Sequence, residues 1–563
     1  MSNIYKINYH NDKWVVSSCQ TSIETQITLN PIEHKLFNND EFTYDILKNK
    51  VNIVYSYIRS INFLIPGVLI LQDNKTYGRC KPNGKLMYRC IPDDKNIPEF
   101  LIPYEIKHMG FSKIFNNLYV IINYSHWNNK HPQGMITQTI GEIDNLSNFY
   151  EYQLYCKNLK ISIKQFTKDT LNIIKQTNNE YIFNNIITTY PNIEDRTNTQ
   201  EWFIFTIDPY KCSDFDDGFS IKKLTHNITQ LSVYISNVSI LLDILKLWGS
   251  FSKRTSTIYL PDEKITMLPS ILSDGLCSLQ EQQTRISLVM DLFIENNTIH
   301  TIKYSNCLIK VSKNYVYEEP ALLNNKSYKQ LLQCVQSLST QYINKAPDSH
   351  ELVSYLMILM NSNCASEMVK HNNGIFRTTT NINTNKNVPE EIRNLINPYG
   401  NVSGKYIYGN VLRHQTLNLD AYIHITSPIR RIVDLLNSIQ FQRNQHIILS
   451  DNAYIFFNHW INELEYINTS TMTTRKVQND CALFNLYANT PKITNKLYCG
   501  YIYEKNIKKN RTYKFIVYLP EIKLFSSITL VYDIELYTKH KFKLLLFNNA
   551  DTLKKKIRLQ IIQ

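Results

Sequence analysis

Four aspartates, Asp208, Asp214, Asp216 and Asp217, fall within ten residues of the stretch 201–221, EWFIFTIDPYKCSDFDDGFSI. Like charges crowded this closely raise one another's pKa unless a cation neutralises them. A carboxylate donor set favours a hard divalent ion, Mg²⁺ or Mn²⁺, and two such ions suit phosphodiester cleavage. A solvated acidic loop is the plainer reading of the same stretch. An EF-hand is excluded, because the twelfth position counted from Asp214 is Thr225 rather than Glu. Residues 202–207 are apolar, aromatic and β-branched, which predicts a buried strand; Pro209 ends it and leaves the four acids on a loop.

Other stretches carry chemistry further along. Residues 422–434 read YIHITSPIRRIVD, where Thr426, Ser427 and Pro428 lead into Arg430, Arg431 and an apolar run at helical spacing. The proline predicts a helix N-terminus there. Between this and the acidic stretch lies STIYLPDEKITMLPSILSDGLCSL, residues 256–279, and Arg413 and His414 precede the arginine stretch. Taken in order, these segments resemble the ribonuclease II/R (RNB) family of 3′→5′ exoribonucleases, on the side of the eukaryotic-type members but without their N-terminal endonuclease domain.

The resemblance implies a function and roles for particular residues. It implies a Mg²⁺-dependent enzyme, with Mn²⁺ as a substitute, that degrades single-stranded RNA to nucleoside 5′-monophosphates. The four aspartates would be its metal ligands and catalytic residues. Arg430 would grip the scissile phosphate, for which a planar, bidentate guanidinium is suited. Tyr259 would stack on a base near the 3′ end, and Thr426, Ser427, Arg431 and Gln478 would join it in binding RNA. Gln478 stands where the family has a glutamate that recognises ribose; an amide also bonds a 2′-hydroxyl, so the choice between RNA and DNA is left open. Tyr234 and Asn237 stand where the family usually has His and Asp. The alternative is a non-catalytic RNA-binding regulator on the same fold, whose mark would be loss of the metal aspartates. A structural Ca²⁺ protein would predict neither the arginine motif nor flanking β-modules.

Length and composition fit this reading. With 563 residues, 43% of them hydrophobic, the chain can build several cores. A formal charge of +13 favours a polyanionic partner, and 38 Tyr with 24 Phe offer stacking surfaces, although most aromatics are core. The 11 cysteines contain no CxxC pair, which argues for reduced thiols and against a zinc site or a disulfide framework. The first residues lack the apolar core of a signal peptide, and the apolar run 61–71 is too short to span a bilayer. A cytoplasmic monomer is expected, with nuclear or virion-associated placement compatible. Heavy use of Asn, Ile, Lys and Tyr against 14 Gly points to an AT-rich genome such as that of a large DNA virus.

The expected architecture is multidomain α+β, with OB-type β-barrels flanking a central α+β catalytic domain. Short β-like runs separated by polar turns predict one OB or cold-shock-like domain over 1–66 and a second over 67–158. A helical connector follows over 159–200 and the RNB catalytic domain over 201–488, with a buried helix at 352–370 whose methionines are core fillers. A C-terminal OB-like RNA-binding domain is expected over 489–563, ending in a basic tail at Lys554, Lys555, Lys556 and Arg558.

Overall fold

A computed structural model of the chain describes residues 3–10, 13–81, 84–106, 115–190, 192–338, 348–378, 404–411, 413–414, 417, 419–490, 496–508, 512–548 and 555–562. It divides into two compact units, one of residues 1–160, 479–534 and 539–563, the other of residues 161–478 and 535–538. Among the described residues no helix is long and apolar enough to cross a membrane.

The first unit is mostly β. Strands β1 (Ile4–His10), β2 (Lys13–Ser18), β3 (Glu41–Asp45) and β4 (Lys50–Tyr55) form an antiparallel sheet in the order β2-β1-β3-β4 over a small core of Ile7, Val16, Leu29, Leu36 and Phe42. This corrects the barrel expected over 1–66: among the described residues the sheet stays open, and β4 is an edge with most of its side chains exposed. The barrel expectation holds for the next module. There β5 (Ile65–Leu69), β6 (Met87–Pro92), β7 (Phe100–Pro103), β8 (Leu118–His126) and β9 (Gln133–Glu142) close in the order β5-β6-β7-β9-β8, followed by α1 (Leu146–Cys156). Its interior is filled by Leu69, Tyr88, Phe100, Ile102, Val120 and Ile122.

The second unit holds the four aspartates. Helices α2 (Lys164–Gln176) and α3 (Asn179–Thr189) lead to β10 (Glu194–Arg196), β11 (Ile204–Asp208), β12 (Asp217–Lys223), β13 (Ile228–Ser236) and helix α4 (Val238–Ile244). A short pair, β14 (Ile258–Tyr259) with β15 (Lys264–Ile265), precedes the long strands β16 (Thr284–Glu295) and β17 (Thr298–Val316). The main sheet runs β10-β17-β11-β12-β13-β16. β17 is long enough to pair antiparallel with β16 along its first part and parallel with β11 along its last. Because β10 is a strand of this sheet, the part expected to be a connector ends inside the central sheet rather than before it.

Helices α5 (Pro320–Asn324), α6 (Lys326–Ser337) and α7 (Ser349–Lys370) follow, then the pair β18 (Ile375–Thr378) and β19 (Lys405–Tyr408), and α8 (Ile432–Asn444), α9 (Asp451–Asn462) and α10 (Leu464–Asn489). α7 is the buried helix expected at 352–370; Met360 and Met368 are fully buried and Met357 packs at the edge of the core. α8 begins four residues after Pro428, not at it, because the turn 426–431 is held by contacts of its own. The first unit is completed by the sheet β22-β21-β20-β23-β24, built from β20 (Leu497–Ile507), β21 (Tyr513–Leu519), β22 (Leu524–Leu530), β23 (Lys539–Asn548) and β24 (Lys555–Ile562). Lys554 of the basic tail lies outside the described residues.

Candidate active site

The acidic loop is a hairpin connection. Antiparallel pairing of Phe205 with Phe219 brings the end of β11 back against the start of β12. Asp208 is therefore the last residue of one strand and Asp217 the first of the next, and only Asp214 and Asp216 lie in the loop. This corrects the placement of all four acids on a loop: the strand runs to Asp208, one residue further than residues 202–207 implied, and the next strand already begins at Asp217. All four are buried, at 9% exposure for Asp208, 6% for Asp214, 2% for Asp216 and 8% for Asp217.

The Cys-Ser-Leu segment positions the loop. Ser278 Oγ donates to Ser213 O (2.8 Å) and accepts the Phe215 N–H (3.0 Å), while the Leu279 N–H donates to Phe215 O (3.0 Å). The arginine turn is tied in from another side. Ile429 N–H and Arg430 Nε–H donate to the two oxygens of Asp216, at 3.0 and 2.9 Å, and Arg430 Nη2 donates to Ser427 Oγ (2.8 Å). The backbone of 255–257 pairs with the same turn: Thr257 N–H donates to Arg430 O (3.0 Å) and Ile432 N–H to Thr255 O (2.9 Å). Tyr259, two residues on, is carried to the cluster, and its hydroxyl donates to Asp214 Oδ2 (2.9 Å) while the residue stays 42% exposed.

Residues expected to touch RNA also have partners within the chain. Thr426 and Ser427 are each 2% exposed; Thr426 Oγ1 accepts from Asn361 Nδ2 and the Ser427 N–H donates to Asp434. Both support the turn from inside. Arg431 Nη2 donates to the buried Asp434 (2.8 Å) and so anchors the start of α8. Gln478 accepts the Tyr259 N–H on Oε1 (3.0 Å) and thereby holds the tyrosine. Tyr234 and Asn237 are buried parts of the sheet: the Tyr234 hydroxyl meets Ser220 Oγ at 2.9 Å, and Asn237 accepts the Ile240 N–H as the cap of α4.

Electrostatically the four carboxylates differ. Asp216 has both oxygens filled by the arginine turn; burial pushes it up to about 7, with Arg430 holding it back. Burial also pushes Asp208 and Asp217 well above the usual carboxylate range, and each has one buried oxygen, Oδ2, without a hydrogen-bond partner. Asp214 accepts from Tyr259 and from Lys264 Nζ (3.0 Å). A buried acceptor left open costs about 1–3 kcal/mol, more if charged, and a bound cation would relieve that cost on both residues. Mg²⁺ fits that pair, because it is usually held by one or two carboxylates with waters and substrate phosphates completing its shell. Among the described residues, no three His, Cys, Asp or Glu side chains are grouped so as to hold a metal ion between them. Asp214 and Asp216, by contrast, are engaged by the cationic side chains of Lys264 and Arg430.

Sequence reasoning missed two neighbours of the cluster. Lys264 was not distinguishable from any surface lysine in LPDEKIT. Tyr317 donates its N–H to Asp208 O (3.1 Å) and stacks on His350 with ring centroids 3.8 Å apart. Burial, with Asp217 and Asp208 nearby, raises its phenol; its position just past the end of β17 was the only signal available.

The RNB domain family matches residues 196–342, from β10 through the acidic hairpin to beyond α6. The chain carries an RNB domain. A relative of it, the probable exosome complex exonuclease RRP44 of Caenorhabditis elegans, is 26% identical over 204 residues, which is 36% of this chain and 21% of that protein. The chain thus spans about a fifth of that relative's length. The structure is similar to Mycoplasma genitalium RNase R in complex with ribose methylated single-stranded RNA, with a TM-score of 0.65 and 15% identity over 99% of this chain and 100% of that one. It is also similar to yeast Ssd1, a pseudonuclease, with a TM-score of 0.52 and 13% identity over 96% of this chain and 80% of that one. At these identities the two likenesses speak to the fold: OB-type modules together with an RNB domain.

Proposed function

We propose that this chain is a divalent-metal-dependent 3′→5′ exoribonuclease that hydrolyses single-stranded RNA to nucleoside 5′-monophosphates. The observation that carries the reading is the pair of unpartnered buried oxygens on Asp208 and Asp217, set beside an arginine held in place by Asp216. Asp208 and Asp217 would hold the ion, Mg²⁺ or Mn²⁺, which when bound neutralises phosphate charge and activates water. The other roles belong to the chain itself. Arg430 is held from two sides and, with 40% of its side chain exposed, keeps N–H donors to offer a phosphate. Asp216 fixes the direction of that fork and, with Asp217, keeps the guanidinium charged against the pull of burial. Tyr259 borders the same carboxylates and offers an exposed ring to a terminal base. In the first unit Lys539, Lys541 and Lys543 alternate along β23 and so share one face, which suits a phosphate backbone.

A second reading, a non-catalytic RNA-binding regulator, is favoured by the likeness to the pseudonuclease Ssd1. Purified protein incubated with 5′-labelled and 3′-labelled single-stranded RNA, with and without Mg²⁺, separates the two. Progressive shortening of the 5′-labelled strand together with immediate release of the 3′-terminal mononucleotide, only with metal, supports the enzyme. Binding without shortening supports the regulator.

A further inference from the structure

The four carboxylates are not matched by four openings for metal, and the cation that accounts for the difference is part of the chain. Lys264, on β15, directs its ammonium into the acidic loop: Nζ lies 3.0 Å from Asp214 Oδ1, 2.7 Å from Asp274 Oδ1 and 2.7 Å from Ser213 Oγ. All three N–H donors of an ammonium thereby have partners. Asp274 sits in the helical turn Leu272–Leu276, so the lysine is gripped from a segment that does not belong to the acidic hairpin. The other oxygen of Asp214 accepts the Tyr259 hydroxyl. Asp214 is 6% exposed, and the side chain of Lys264 is 24% exposed.

We propose that Lys264 is a built-in second cation of the cluster: its ammonium occupies the neutralising place at Asp214 that a second divalent ion would need, so the site takes one ion, on Asp208 and Asp217. This inference rests on the nuclease reading and refines it. Phosphodiester hydrolysis asks for positive charge near both the attacking and the leaving oxygen. Here one share of that charge would be exchangeable and the other would be covalently attached. The pairing follows the same division: Arg430 is bonded to Asp216, Lys264 is shared by Asp214 and Asp274, and Asp208 and Asp217 each keep an acceptor oxygen without a partner. A lone ammonium cannot polarise water as a divalent ion does, so Lys264 would stabilise and position charge while the exchangeable ion activates the nucleophile.

The test counts ions rather than turnover. Mn²⁺ is titrated into the metal-free full-length protein, and free Mn²⁺ is followed by electron paramagnetic resonance. The expected result is one equivalent for the wild type, two for Lys264→Met, and one again for Lys264→Arg and for the double variant Lys264→Met/Asp214→Asn. Circular dichroism checks that each variant is folded, and Lys264→Gln stands in if the methionine variant is not. Two equivalents on the wild type, or one on both wild type and Lys264→Met, overturn the inference and leave the nuclease reading standing. No bound Mn²⁺ on either protein overturns both.

Discussion

Buried aspartates at two places in one sheet have opposite electrostatics. On β16, Asp291 is bound by Arg196 through two bonds of 2.9 and 2.6 Å and by Ser232 Oγ at 2.6 Å; burial pushes it up, but these donors outweigh burial and hold it below its ordinary range. Arg196 lies 4.4 Å from the Trp202 ring and also bonds Glu194. At the end of β11 and the start of β12, Asp208 and Asp217 are also buried, lack such donors on one oxygen each, and are pushed above their ordinary range. Asp291 is satisfied by the fold on both of its oxygens. A carboxylate that is left short of donors in the interior is kept that way at a cost in stability, which is how functional sites commonly depart from the rest of a protein.

The largest effects should come from breaking each group. Asp291→Ala leaves Arg196 buried without its main partner and should lower unfolding stability by about 3–5 kcal/mol, read from urea melts. Asp217→Asn should do the reverse: no metal-dependent cleavage, yet a metal-free protein more stable near pH 8 by on the order of 1 kcal/mol, because an ionisable group that resists ionisation is gone. If both variants lose stability equally, the contrast between the two groups is false. Arg430→Lys keeps the charge and loses the fork; a cost of about 3 kcal/mol, or roughly a hundredfold in kcat, is expected from single-turnover kinetics. Unchanged kinetics would make Arg430 a partner of Asp216 and nothing more.

Smaller effects sharpen the comparison. The raised folded-state pKa values of Asp208 and Asp217 mean that their favourable contribution is present at low pH and is lost as pH rises through those values. Mg²⁺ competes with the same protons, so its stabilising effect should grow with pH. Melting temperatures with and without Mg²⁺ should therefore differ more near pH 8 than near pH 6. An equal shift at both would mean the ion binds elsewhere. Tyr259→Ala removes a stacking contact worth about 1–3 kcal/mol and should leave the rate on long RNA largely intact while lengthening the limit product on a gel of 5′-labelled strand. Identical end products would remove Tyr259 from the RNA path.

The parts of this picture legible in the sequence are those that local pattern controls. Four acids after an apolar strand, a Cys-Ser-Leu run and an arginine turn each announce themselves within a few residues. What stayed hidden depends on partners far along the chain. Asp216 and Arg430 are separated by 214 residues and Lys264 and Asp214 by 50, so no spacing rule could assign which acids are filled and which are open. Thr426 and Ser427 look like surface donors in TSPIRR, and only the burial of Asp434 beneath them shows otherwise. The first β-module read as a barrel because alternation predicts strands but not whether the sheet closes.

The pairing of residues 255–257 with the arginine turn constrains how this chain can vary. Ser256 bridges to Arg431 and the Thr257 N–H to Arg430, so the tyrosine and the arginine hang from one short ladder. Side chains alternate along such a segment, and a single inserted residue between Thr257 and Tyr259 would turn the tyrosine ring to the opposite face. Surface loops elsewhere can lengthen by many residues at little cost. Over evolutionary time, this one-residue spacer, Ile258, should therefore behave as a fixed ruler: its side chain can change, but a relative that lengthens it must lose either the hydroxyl contact to the acidic loop or the grip on the turn.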